Sequence, residues 1–138
     1  GILFGLFNIT AANGIADSDP EALYDHIVAG LNKIGPVYLH VIEGATGGPR
    51  DVAPFDFGAL RKQFNGTYIA NNGYGGETAE QAVESGAADL IAFGHDYVAN
   101  PDLVARLKAG VPFAQLNRET LYGGGAEGYT DYEVYSPA

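Results

Sequence analysis

Gly35-Pro36-Val37-Tyr38-Leu39-His40-Val41-Ile42 is the stretch that decides the architecture. A Gly-Pro break followed by a short run of aliphatic and aromatic residues reads as a strand that opens directly after a helix has been stopped. Upstream, Ser18-Asp19-Pro20-Glu21 supplies a cap, a proline in the first turn and an acid at the positive helix end, so a helix is expected to about Lys33. Leu23, Ile27, Leu31 and Ile34 recur at helical spacing and read as its buried stripe. By Ile42 one helix-then-strand step is complete.

The same step repeats downstream. A long loop from Gly44 to Pro54 precedes a helix expected over about Phe57 to Phe64 and a strand over Thr67-Tyr68-Ile69-Ala70. The asparagine- and glycine-rich loop Asn71 to Gly76 leads to a helix from Glu77 to Ser85, closed by Gly86. Asp89-Leu90-Ile91-Ala92-Phe93 is apolar enough for a strand buried on both faces. A further helix is expected to open with Asn100 as cap and Pro101 at its first position, ending at Gly110. Residues 111–138 carry no clear periodicity and read as an irregular tail on a single segment, residues 1–138. Short strands separated by helices pair in parallel through right-handed crossovers, so the fold class is α/β. Periodicity alone does not choose between an open sheet and a barrel.

Composition narrows the function. The 138 residues are 46% apolar, enough for one core that buries roughly two-thirds of the unfolded surface. Seven Lys and Arg stand against 17 Asp and Glu, a net charge of −10, the wrong sign for nucleic acid. An anionic ligand therefore has to be held locally, by backbone amides or a helix end. Cysteine is absent, which removes a disulfide framework, a thiolate metal site and a cysteine nucleophile. No run approaches the roughly 18 apolar residues of a membrane span, and a soluble, cytoplasmic protein is expected. With no methionine in the chain, Gly1 reads as a trimmed start or as an internal point of something longer.

Three stretches carry a more specific signal: Ala92-Phe93-Gly94-His95, Ala99-Asn100-Pro101-Asp102-Leu103, and Leu121-Tyr122-Gly123-Gly124-Gly125-Ala126-Glu127-Gly128-Tyr129-Thr130-Asp131-Tyr132. Together they resemble the C-terminal end of the Old Yellow Enzyme family, of the bacterial N-ethylmaleimide-reductase type. The resemblance implies the C-terminal half of a (β/α)8 TIM barrel, with strands five to eight and their helices, in a flavin-dependent ene-reductase. Gly1 to Asn8 would be the fifth strand. The implied cofactors are FMN and NAD(P)H as hydride donor. The implied substrate is a small activated alkene, an α,β-unsaturated carbonyl or nitro compound.

Residue by residue, the resemblance makes Asn72 and Gly73 at one strand end, and Gly94 and His95 at the next, the positions lining the FMN phosphate. Glycine there lets backbone N–H groups approach the anion. The competing reading is that both are merely tight βα turns. The family usually places arginine where this chain has His95, so phosphate affinity is expected to be weaker or more pH-dependent. Tyr122 matches a tyrosine that reaches toward flavin and substrate, and an ordinary tyrosine with a satisfied hydroxyl is its competitor. In the family the fifth strand carries an arginine beside the flavin ring. Here the corresponding run is Gly1-Ile2-Leu3-Phe4-Gly5-Leu6-Phe7-Asn8, without it.

Other candidates are weaker. Gly123-Gly124-Gly125 has no strand before it and no Gly-Lys-Ser/Thr after it, so it is backbone geometry rather than a nucleotide loop. His40 and Glu43 could form an acid–base pair, but structural hydrogen bonding is the favoured reading. Arg50 could serve a lid or substrate access, or be simply solvated. No His, Asp and Glu group has metal spacing, so no metal is expected. The family's substrate-binding histidine pair and proton-donating tyrosine lie in its N-terminal half. The chain would then work with that half as a separate chain or within a homo-oligomer, or serve as a non-catalytic phosphate- or flavin-binding half-barrel. An isomerase or aldolase barrel is a third class, and the lack of a lysine at a strand end argues against the aldolase.

Overall fold

The computed structural model describes residues 17–45, 48–50 and 55–136. The expected strand over Gly1 to Asn8 lies outside them. In order, the elements are α1 (Pro20–Ile34), β1 (Tyr38–Ile42), α2 (Phe57–Gln63), β2 (Thr67–Asn71), α3 (Gly76–Glu84), β3 (Leu90–Ala92), α4 (His95–Ala99) and α5 (Leu103–Ala109). They divide into two compact units, one reaching Ala92 and one from Phe93 onward.

In the first unit the strands form a parallel sheet in the order β1-β2-β3, with Leu39 beside Tyr68, Ile42 beside Asn71 and Asn71 beside Ala92. Sequential parallel neighbours with a helix in each crossover are the arrangement of a singly wound α/β fold, the local order of a barrel wall. Local chemistry sets each boundary. Asp19 caps α1 by accepting from Ala22 N–H at 3.1 Å, Pro20 follows it, and Gly35 ends the helix in a left-handed conformation at φ 71°. Asp56 caps α2 in the same way, accepting from Ala59 N–H at 2.8 Å.

The core lies on one side of the sheet. Leu39, Val41, Tyr68 and Ala70 are buried from the strands, and Tyr24, Val28, Leu31, Leu60, Phe64 and Ala79 from the helices and their ends. Each fully buried Leu or Val contributes about 1.5–3 kcal/mol. Tyr24 also meets Phe55 edge to face, with centroids 5.3 Å apart. The expected stripe on α1 is off by one position. Tyr24 and Val28 are buried while Leu23 and Ile34 are 39% and 72% exposed. Positions 23/27/31/34 and 24/28/31 share Leu31 and both satisfy helical spacing, and the contact with Phe55 selects the second.

β3 also departs from expectation. It is three residues long, and Leu90 is 53% exposed rather than buried on both faces. As the edge of the described sheet, it pairs on one side only, with β2. At its base Asp89 accepts from Tyr68 N–H at 2.7 Å and pairs with Arg61 at 2.8 Å, tying α2 to the sheet.

In the second unit the helix expected from Asn100 to Gly110 is present but shorter, and a separate short helix precedes it. α4 ends at Ala99, and α5 opens at Leu103 without a side-chain cap. Asn100 does not cap, because its side chain is used elsewhere. It is fully buried, donates to the carbonyls of Asp96 and Ala114, and accepts from Ala114 N–H at 2.7 Å. That reciprocal pair pins the start of the irregular segment after Gly110 onto α4. Arg106 then fixes the chain's later part. It pairs with Asp102 at 2.9 Å and donates to the carbonyls of Pro112 and Glu133, while Asp102 accepts from Tyr135 N–H.

Candidate functional site

Glu43 stands just past the C-terminal end of β1 and continues its buried alternation after Leu39 and Val41. It is 8% exposed, a burial that carboxylates tolerate only when hydrogen-bonded. Two phenols supply the bonds: Tyr68 donates to Oε1 at 3.0 Å and Tyr74 to Oε2 at 2.6 Å. Both tyrosines come from β2 or the loop after it, so the carboxylate bridges two neighbouring strand ends. Burial, reinforced by the adjacent carboxylate, holds the Tyr68 phenol far above the usual tyrosine range. The same causes push Tyr74 up to about 12, against an opposing effect of Arg50. Both phenols are therefore donors across the physiological range. Arg50 lies over the Tyr74 ring, its guanidinium carbon 3.8 Å from the centroid.

The loop above β1 is held by one side chain. Asn72 Nδ2 donates to the carbonyls of Glu43, Ala45 and Gly48 at 2.7, 2.9 and 3.2 Å. Three carbonyl partners fix which end of the amide is nitrogen, since an oxygen there would face acceptors only. The backbone cost is visible in φ, which is +100° at Asn72 and +66° at Gly73. Asparagine is among the few side chains that tolerate this region.

Of the residues singled out in the sequence, Asn72 and Gly73 lie together at the C-terminal end of β2. Gly73 and Gly75, which precedes α3, are open: a Cβ at either would meet nothing within 4 Å. Gly94 and His95 lie in the other unit, where Gly94 precedes α4 and accepts from Tyr97 and Val98 N–H, and His95 is exposed. A Cβ at Gly94 would likewise meet nothing. Tyr122 is 92% exposed with φ +60°, and its N–H donates to the Tyr129 hydroxyl at 2.7 Å. Tyr122 is thus placed by its backbone, with its phenol free to meet solvent or ligand.

His40 and Glu43 do not pair. They sit on opposite faces of the strand, and His40 Nε2 has no hydrogen-bond partner among the described residues. Burial lowers the His40 pKa below the ordinary histidine value. The Tyr68–Glu43–Tyr74 cluster went unread in the sequence. Its signal was the alternation itself, which places Glu43 on the inward face. Among the described residues no group of His, Asp and Glu is arranged to hold a metal, and no helix is long and apolar enough to cross a membrane.

No family model matches the chain. Individual proteins do. A 12-oxophytodienoate reductase-like protein of Solanum lycopersicum is 41% identical over 121 residues, covering 87% of this chain and 33% of that protein. 12-Oxophytodienoate reductase 2 of Arabidopsis thaliana is 39% identical over 119 residues, with 84% and 32% covered. Among solved structures, the old yellow enzyme of Trypanosoma cruzi superposes with a TM-score of 0.85 at 33% identity, covering 97% of this chain and 34% of that one. A morphinone reductase variant bound to tetrahydroNAD gives 0.80 at 33% identity, covering 89% and 33%. The described parallel α/β unit is similar to part of the old yellow enzyme and morphinone reductase structures. The chain is similar to the 12-oxophytodienoate reductases and to an old yellow enzyme, and spans about a third of the length of each. That share is smaller than the half expected from four strand-and-helix units.

Proposed function

We propose that this chain supplies the phosphate side of an FMN site in an NAD(P)H-dependent reductase of activated alkenes, in a cytoplasmic setting. The observation that carries it is the pair of open glycine turns at successive strand ends, Asn72-Gly73 after β2 and Gly94-His95 after β3, in a chain 41% identical to a reductase-like protein. The residues fit a phosphate. Open space beside Gly73, Gly75 and Gly94 lets an anion reach the backbone, and His95 adds an exposed imidazole. Local donors of this kind are needed because the net charge of −10 repels anions.

When bound, the flavin would supply hydride transfer from NAD(P)H to the β-carbon of an alkene conjugated to a carbonyl or nitro group. This chain's residues bind and orient. Asn72 holds the loop above β1 still, which leaves the turn at Gly73 open toward an anion. Tyr122, with its exposed phenol, would orient substrate or a water molecule. The remaining part of the substrate site would come from an N-terminal portion, as a separate chain or within a homo-oligomer.

Titration with FMN and with riboflavin, followed by flavin fluorescence, tests the reading. FMN should bind at least about tenfold more tightly, a difference of about 1.4 kcal/mol owed to the phosphate. Equal affinities, or no binding of either, would sink it. A second reading, a non-catalytic half-barrel, is favoured by the exposure of Leu90 and Val83 and by the position of β1 and β3 as the outer strands of the described sheet. It predicts FMN binding without turnover when an N-terminal portion is added, and self-association that rises with concentration.

A further inference from the structure

We infer that Arg50 is an anion-receiving residue at the substrate mouth, which selects molecules carrying a carboxylate group beside the reacting alkene. The inference rests on the reductase reading above and names the substrate class of that site. Its basis is the distribution of positive charge. The part of the chain up to Ala92 has four Lys and Arg: Lys33, Arg50, Arg61 and Lys62. Lys33 is in the last turn of α1, and Arg61 and Lys62 are in the last turn of α2. Those helices end a few residues before β1 and β2 begin, so all three cations sit by the N-terminal ends of the strands. Arg61 is also already paired with Asp89. Arg50 alone follows the C-terminal end of a strand, the end where ligands of such folds bind.

Arg50 is also held in place, unlike a solvated loop arginine. Its guanidinium lies 3.8 Å over the Tyr74 ring, and the ring is fixed by the 2.6 Å bond from its phenol to Glu43. The chain leading to it is anchored by Asn72 through Ala45 and Gly48. Gly44, at φ +71°, has no room for a Cβ because the backbone of Pro49 and Arg50 packs against it. Among the described residues Arg50 forms no ion pair. Glu43, which holds the Tyr74 phenol, is itself occupied by two phenols. A planar cation held by stacking and by polar contact with the Tyr74 side chain keeps its remaining N–H donors for a carboxylate.

The test uses an isosteric pair, cinnamate and cinnamamide, titrated into the 138-residue chain and read from its amide resonances in wild type, Arg50→Gln and Arg50→Lys. Cinnamate should bind about tenfold more tightly than cinnamamide in wild type. The preference should vanish in Arg50→Gln and persist in part in Arg50→Lys, whose unchanged spectrum elsewhere reports an intact fold. Equal affinity of the two ligands in wild type, or a preference that survives in Arg50→Gln, overturns the inference. Inorganic phosphate is the second probe: if it displaces cinnamate at lower concentration than acetate does, the site prefers phosphate and the carboxylate assignment is overturned. A parallel FMN titration separates the two claims, since FMN binding without carboxylate preference defeats only the role of Arg50. Carboxylate preference without FMN binding defeats only the flavin reading.

Discussion

Tyr74 donates its phenol to Glu43 at 2.6 Å, and through that bond the loop after β2 is tied to the loop after β1. Tyr68 donates to the other oxygen at 3.0 Å, so a buried carboxylate that forms no ion pair among the described residues is satisfied by two neutral donors. Neutral donors leave the pair of loops joined without a buried ion pair, whose desolvation would offset much of its attraction. The joint orders Tyr74, and Tyr74 in turn carries Arg50.

Removing one phenol from this joint should be costly. Tyr68→Phe leaves Glu43 with a single donor in a site that excludes water, and stability should fall by about 1.5–3 kcal/mol. Urea unfolding followed by far-UV circular dichroism checks this. A loss below about 0.5 kcal/mol would mean that water replaces the hydroxyl.

Asn72 is predicted to be intolerant of an isosteric change. Asn72→Asp turns a donor facing three carbonyls into a carboxylate facing the same three oxygens, and should cost about 2–3 kcal/mol. Asn72→Gly loses the bonds but relieves the backbone at φ +100°, so its cost should be smaller, about 1 kcal/mol. The ranking, read from urea midpoints, is the test. Equal losses would show that the backbone conformation counts for little.

Alkaline stability should report the same cluster. Tyr74 in the folded chain is raised to about 12, mainly by burial and then by Glu43, from an unfolded value near 10. A raised value means that the folded chain holds the proton more tightly. The resulting stability is complete below about pH 10 and is lost as pH rises through 12. Tyr68 is shifted in the same direction. Tyr74→Phe should therefore flatten part of the fall in stability above pH 10, measured by denaturation at stepped pH. An unchanged slope would place the titration elsewhere.

Much of this was legible in the sequence, for reasons specific to particular residues. Asp19-Pro20 and Gly35-Pro36 mark both ends of α1 because caps and breakers act locally. Alternation in β1 places Leu39 and Val41 on the buried face and His40 on the other. What failed depended on partners distant in sequence. Leu23 and Tyr24 satisfy the helical period equally, and only Phe55, 31 positions after Tyr24, decides between them. Asn100 has the identity of a cap, but its buried side chain is claimed by Ala114. Glu43 gave no motif because its partners are two tyrosines, which carry no spacing rule. At Asn72 the loop was legible from its asparagines and glycines, while the positive φ and the three carbonyl acceptors became visible only in the fold.

The last prediction concerns acid and the second unit. Asp102 is held below the ordinary carboxylate range chiefly by the hydrogen bond from Arg106, with a further contribution from Tyr135 N–H. A lowered value in the folded chain means that stability from this contact is present above the unfolded value, near 4, and is lost as pH falls through the folded one. What is lost is local: Asp102 joins α5 to Tyr135, and Arg106 joins it to Glu133. Amide exchange of Tyr135 should therefore accelerate below about pH 4 relative to that of Glu43, whose N–H is held by the Asn71 carbonyl. Asp102→Asn should remove this acid dependence, because an amide does not titrate, while leaving Tyr135 less protected at neutral pH. If Tyr135 exchanges at the same rate in the variant and the wild type at pH 7, the contact does not hold the terminal segment. The segment would then depend on its other contacts, among them the bonds from Arg106 to the Glu133 carbonyl and from Asn117 N–H to the Tyr132 hydroxyl.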